Sequence, residues 1–115
     1  MSKNIIEVDP DKFPWLDLRR YTFCMAAENS GIVYLSGQTA SEYDPDSGKV
    51  VCKGDLLDQT RVIYEKLGVI LEASGLSFDN VVQTVDYVDP VALPQYRQTG
   101  DIRRQYLGGT PVGST

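Results

Sequence analysis

Residues 55–75 carry the strongest constraint on the fold, the pattern of one long amphipathic helix. Leu56, Thr60, Ile63, Leu67, Ile70 and Leu71 recur at three- and four-residue spacing and so share one face. Asp55 stands where a side-chain oxygen accepts from the free N–H groups of a first helical turn. Gly75 stands where a left-handed residue ends a helix. A stripe of this kind is stable only when a sheet or another helix covers it.

The flanking segments read mainly as strands. Residues 21–27 alternate in side-chain size, residues 28–31 form a turn in which Gly31 is free to take positive φ, and residues 32–35 are a short apolar run. That run predicts a hairpin strand covered on both faces. Residues 41–49 are polar and rich in turn formers, which predicts a loop. Residues 78–88 alternate as a strand does, with Val81, Gln83, Val85 and Tyr87 on one side and Val82, Thr84, Asp86 and Val88 on the other. A second helix is expected from about Leu93 and Pro94 to Gly108, with Pro94 in its first turn and Gly100 as a weak point. Residues 1–20 read as an irregular lead-in whose Trp15, Leu16 and Leu18 lie against the domain or a neighbour.

The order is strand, strand, helix, strand, helix, then a turn at residues 106–115 that announces one more strand. This is an α+β pattern in a single domain spanning residues 1–115, with both helices on one sheet face. The uncovered face predicts self-association. A further strand beyond residue 115 is expected, because without it the sheet keeps a long unpaired edge.

Composition narrows the function. The formal charge is -5, with acidic residues spread along the chain and only Arg19 with Arg20 and Arg103 with Arg104 as dense basic pairs. No nucleic acid is therefore expected as a main partner. No apolar run approaches the roughly 20 residues that span a bilayer, so no membrane is expected either. The chain has no His, which excludes a His-based triad and the common Cys and His zinc sites. Cys24 and Cys52 form no CxxC motif and read as reduced thiols of a cytoplasmic protein.

Four segments, in order, resemble the RidA/YjgF/UK114 family of reactive-intermediate deaminases. They are Val33-Tyr-Leu-Ser-Gly-Gln38, Gly54-Asp-Leu-Leu-Asp-Gln-Thr-Arg61, Leu71-Glu-Ala-Ser-Gly75 with Asn80-Val-Val-Gln-Thr84, and Tyr106 to Thr115. The resemblance implies a chorismate-mutase-like α+β fold and a homotrimer around a central β-barrel. It implies small-molecule pockets at subunit interfaces and hydrolysis of enamines or imines to a keto compound and ammonia, with no cofactor and no metal.

The resemblance also places a site. The family's pocket tyrosine falls on Tyr21, with Thr22 and Phe23 replacing the Ser-Gln that follows it in the family. The strand-end serine falls on Ser36 and the pocket aromatic on Tyr87. Ser114 matches the residue after the carboxylate-binding arginine, and Thr115 the position that helps hold the attacking water. Ser114 and Thr115 are thus the catalytic candidates, with Tyr21, Ser36, Tyr87 and Gly113 binding substrate. The arginine itself falls on Gly113, and the family's catalytic glutamate falls beyond residue 115. Losing a guanidinium fork removes roughly 2 to 5 kcal/mol of carboxylate binding, so altered specificity is expected. Backbone N–H groups at residues 113–115 are candidate oxyanion donors.

Each residue has a plainer reading. Tyr21 and Tyr87 are also ordinary strand aromatics, Thr115 an ordinary β-branched strand residue, and Ser36 a strand-end hydrogen-bonder rather than a nucleophile. Asp86 is either a satisfied polar residue or a substitute acid/base whose pKa burial would raise. Two functions stand: a small-molecule hydrolase acting on C–N compounds, and a non-catalytic protein that binds a metabolite or partner in the same clefts. A third, RNA cleavage, fits poorly with an acidic chain lacking His.

Overall fold

The structure, a computed structural model, describes residues 3–108 and 111–114. Strands β1 (Asn4–Ile6), β2 (Ala26–Asn29) and β3 (Ile32–Leu35) form an antiparallel sheet in that order. Strands β4 (Ser41–Asp44) and β5 (Lys49–Cys52) form a separate hairpin, followed by helix α1 (Leu56–Ala73). Strand β6 (Gln83–Thr84) precedes a 3-10 run over Pro90–Gln98 and helix α2 (Thr99–Leu107), and strand β7 (Gly113–Ser114) closes the order. The α+β class is as expected, with α1 and α2 packed together.

The long helix forms where its sequence places it. Asp55 accepts from the Asp58 N–H at 3.0 Å and Asp58 accepts from the Asp55 N–H at 3.1 Å, a reciprocal cap. Gly75, at φ 73°, ends it. Its buried face holds Thr60, Tyr64, Lys66, Ile70 and Leu71; the sequence stripe missed Tyr64 and Lys66. The turn between β2 and β3 has both central residues, Ser30 and Gly31, at positive φ, as two-residue hairpin turns require.

Several expectations are corrected. The lead-in is not wholly irregular: Asn4–Ile6 pairs with β2, and Phe13, at 1% exposure, anchors the core with Met25, Ala26 and Ile70. Trp15, Leu16 and Leu18 pack around that cluster. The hairpin strand begins at Ala26 rather than at Tyr21. Beyond Ser36 the opposing chain turns away, because the Gln38 amide donates back to the Ser36 carbonyl and the Met25 sulfur. The polar stretch at 41–49 is mostly hairpin: Tyr43 opposes Val50, and the Gly48 N–H donates to the Asp44 carbonyl at 2.8 Å. β-forming side chains on either side of a tight turn outweigh local polarity.

Residues 78–88 contribute only two ladder residues. Ser77 and Asn80 cap a 3-10 turn at Phe78–Asn80, and strand pairing covers Gln83 and Thr84. The alternation survives past the strand, with Gln83, Val85 and Tyr87 exposed and Thr84, Asp86 and Val88 half-buried. The second helix starts later than expected. Asp89 caps the 3-10 run, Pro94 lies inside it, and α-helical bonding begins at Thr99, since a proline with no N–H cannot donate into the helical ladder. Within residues 111–114 a two-residue strand, β7, pairs parallel to β6; it lies before the position, beyond residue 115, at which a further strand is expected.

On the outer face of the three-stranded sheet, Ile5, Ala27 and Tyr34 stand in register, and Ile5, Ile32 and Tyr34 are exposed. The expected double coverage of β3 is therefore absent in the single chain. The helix-side aromatics form a second cluster, Tyr64 stacking on Tyr106 at 5.3 Å with Phe78 edge-on at 5.6 Å from Tyr106.

Candidate functional site

The segment entering β2 and the segment leaving β3 face each other across a recess of about 130 Å³. Phe13, Leu16, Tyr21, Phe23 and Met25 make its apolar side. Gln38, Thr39 and Ser41 make its polar edge, and no charged side chain lines it. Tyr21 and Phe23 lie ring against ring at 5.2 Å. A neutral, mainly apolar wall of this kind favours an uncharged group over an ion, because a charge there is desolvated without a partner.

Ser36 braces this recess but does not line it. Its hydroxyl donates to the Cys24 carbonyl at 2.6 Å and its N–H donates to the Met25 carbonyl at 2.8 Å. The hydroxyl is committed to the backbone, which favours the bracing role over nucleophilic attack. A second, larger recess of about 480 Å³ lies beside Trp15, Tyr43 and Val50, lined also by Arg19 and Arg20. Both arginines are held by Asp17, at 2.9 and 3.6 Å.

Gly113 and Ser114 lie elsewhere, on β7 against β6. The Gly113 N–H donates to the Val82 carbonyl at 2.9 Å, so this amide is not available as an oxyanion donor. A side chain at Gly113 would meet the Val82 carbonyl at 3.5 Å and Gln83 at 3.7 Å, ordinary contacts that leave space for a residue there. The Thr84 hydroxyl, in register with Ser114, is buried without a hydrogen-bond partner among the described residues. Tyr87 is 94% exposed. Neither recess is lined by Tyr87, Gly113 or Ser114, so one chain does not gather the expected site into one cleft. Thr115 lies outside the described residues, as do Gly109 and Thr110.

Asp86 takes the plainer of its two readings. It accepts from the Tyr96 hydroxyl and pairs with Arg103 at 3.2 Å, while Arg103 also donates to the Tyr96 oxygen at 3.0 Å. Burial first, then the bond to Asp86, pushes the Tyr96 hydroxyl above the ordinary tyrosine value of 10.0. Burial raises Tyr64 as well. A tyrosine that ionises later in the fold than in the unfolded chain favours the fold below the unfolded value and loses that contribution as pH rises through the folded one. Stability in urea should therefore fall above pH 10, and Tyr96→Phe should make the fall shallower; an unchanged slope would contradict this assignment. Lys66 acts in the opposite sense. Burial lowers its pKa from 10.5, so the cost of its charge is present at neutral pH and is relieved as pH rises toward the unfolded value.

A family model described as endoribonuclease L-PSP matches residues 18–113. The chain belongs to that family. The RidA/YjgF resemblance read from the sequence is thereby shown. Among relatives of the L-PSP family, a RutC family protein of Pyrococcus horikoshii is 29% identical over 86 residues, covering 75% of this chain and 64% of its own. The 2-iminobutanoate/2-iminopropanoate deaminase of Mus musculus is 36% identical over 62 residues, covering 54% and 44%. The match thus spans less than two thirds of the length of these relatives. A Rid family protein of unknown function from Yersinia pestis superposes with a TM-score of 0.73 at 29% identity, over 99% of this chain and 84% of the other. RidA from an Antarctic Psychrobacter shares the fold, with a TM-score of 0.69 at 22% identity over 94% and 80%.

Sequence reasoning misses three residues that line or support the Tyr21 recess. Phe13 was hidden in a segment that looks irregular. Phe23 stands out in the sequence only as a departure from the family pattern. Lys66 had a legible signal: it sits with Val62, Ile63, Val69 and Ile70 at helical spacing, which places a lysine on an apolar face. Among the described residues no cluster of His, Cys, Asp or Glu is placed to hold a metal, and no helix is long and apolar enough to cross a membrane.

Proposed function

We propose that this chain is a hydrolase of small enamines, imines or related C–N compounds, with specificity shifted away from carboxylate-bearing substrates. The observation that carries the proposal is the Tyr21 recess, apolar on one side, amide- and hydroxyl-edged on the other, and without a charged side chain. Gly113 adds to it, since it leaves the family's arginine position without a cation. Membership of the family and the imine deaminase named among its relatives support the reaction class. Water is the nucleophile in this reading, held by Thr115 and Ser114, with Tyr21 and Tyr87 as walls and Ser36 as the brace of the Tyr21 wall. No cofactor is required, because hydrolysis of a C=N bond needs only water and proton transfer. The test is release of ammonia and of the keto compound from freshly generated imines, one carrying a carboxylate and one uncharged. Turnover of neither supports instead a protein that binds a metabolite without converting it, the reading favoured by the missing arginine.

The working form in this proposal is a cytoplasmic homotrimer, its sheets closing a central barrel and its pockets completed across subunit boundaries. The exposed Ile5, Ile32 and Tyr34 on one sheet face support it, as does Tyr87, which is 94% exposed and lines neither of the two recesses described above. In a shared pocket, Tyr21 of one subunit and Tyr87 of the next face the same substrate. Sedimentation velocity should give a trimer for the wild type and a monomer for Tyr34→Asp. A monomeric wild type at micromolar concentration would refute the assembly.

A further inference from the structure

Lys66 is fully buried, at 0% exposure, on the inner face of α1. Among the described residues no carboxylate pairs with it. Its ammonium has three protons and three acceptors: the Thr39 carbonyl at 2.8 Å, the Ser41 carbonyl at 2.5 Å and the Ser41 hydroxyl at 3.4 Å. The Phe13 and Trp15 rings lie 5.7 and 5.9 Å from the nitrogen, close enough for their faces to attract the cation. An uncompensated buried ammonium is costly, and an apolar residue in its place would leave two main-chain carbonyls without donors.

The position of those carbonyls matters more than their number. They flank Ala40, itself 3% exposed. Thr39 and Ser41 form the polar edge of the recess, and Phe13, under the ammonium, forms part of its apolar side. Gln38, one residue upstream, is tied to the β2–β3 hairpin through the Ser36 carbonyl and the Met25 sulfur. The wall is thus fastened at one end to the hairpin and at the other to α1.

We propose that Lys66 is the positioning residue of the Tyr21 recess, gripping the main chain on both sides of Ala40 so that residues 38–41 stand at a fixed distance from Tyr21 and Phe23. Its effect on catalysis rests on the reading of that recess as the substrate pocket. Lys66 does not touch substrate; it acts through the backbone it holds. Because the grip uses all three ammonium protons, a side chain with fewer donors holds the wall less firmly.

The test compares wild type, Lys66→Met and Lys66→Gln by amide NMR and by hydrolysis of an uncharged imine. In Lys66→Met the amide resonances of Thr39, Ala40 and Ser41 should shift while those of β1 and α2 stay in place. KM should rise about tenfold with kcat within about threefold, the signature of lost binding rather than lost chemistry. Lys66→Gln, with two amide donors, should recover part of the KM. A folded Lys66→Met with unmoved resonances at residues 39–41 overturns the proposal. Moved resonances with unchanged KM overturn the link between this wall and the substrate. If the wild type turns over no imine, the functional reading of the recess fails, while the amide spectra still decide whether Lys66 positions the wall. If neither variant folds, the wild-type ammonium protons decide: slow exchange and through-space contacts to Thr39 and Ser41 support the grip, and rapid exchange overturns it.

Discussion

Gly113→Arg should raise kcat/KM for a short 2-imino acid by roughly 30- to 4,000-fold over the wild type, with hydrolysis of an uncharged imine changed by less than about threefold. The magnitude follows from a buried or half-buried carboxylate gaining a guanidinium partner, roughly 2 to 5 kcal/mol at about 1.4 kcal/mol per factor of ten. The structure admits the substitution. Gly113 does not sit at positive φ, and a side chain there meets its nearest neighbour at 3.5 Å. The Gly113 N–H donates to the Val82 carbonyl through the main chain, a bond to which the side chain at 113 contributes no atom. Ammonia release followed in parallel for the two substrates checks the prediction. A wild type that already hydrolyses the imino acid efficiently would mean that some other donor binds the carboxylate, and Gly113 would lose its part in specificity.

Phe13→Ala should destabilise the fold by about 3 to 5 kcal/mol, the range for removing a large aromatic from a packed core. Phe13 is 1% exposed, touches Trp15 edge-on at 5.0 Å and lies under the Lys66 ammonium. Its removal leaves a cavity next to Ile70 and Met25 and removes one of the two rings facing a buried charge. For a domain of this size each kcal/mol shifts the melting temperature by several degrees, so a fall of more than about 10 °C is expected. Phe23→Ala is the control: Phe23 is 55% exposed, and its loss should cost less than about 1 kcal/mol. Equal losses in the two variants would show that the lead-in segment is not the core element the structure makes it.

How much was legible depended on how local the cause was. Helix α1 was read nearly to the residue, since its cap, its stripe and its terminator lie in one short stretch and each acts on its own neighbours. The β2–β3 turn was read for the same reason. The hairpin of β4 and β5 looks like a loop in sequence, because its turn residues are visible there and its pairing is not. The 3-10 run before α2 was read as helix, because proline is compatible with either start.

The site was legible in chemistry and not in arrangement. The neutral character of residue 113, the absence of His and the aromatic at residue 21 are facts of the sequence alone; the second argues against a triad, and the first, through the family resemblance, underlies the proposal of altered specificity. Which residues meet is another matter. Tyr21 and Gln38 line one recess because they flank the two strands of the β2–β3 hairpin. Lys66 reaches Thr39 and Ser41 across 27 and 25 residues of chain, while Tyr87 and Gly113 line neither recess. Those outcomes depend on long-range packing, where the burial of Phe13 and Ile70 outweighs the cost of burying a lysine. Local propensity carries no record of that balance, because the atoms that settle it are distant in the chain and adjacent only in the fold.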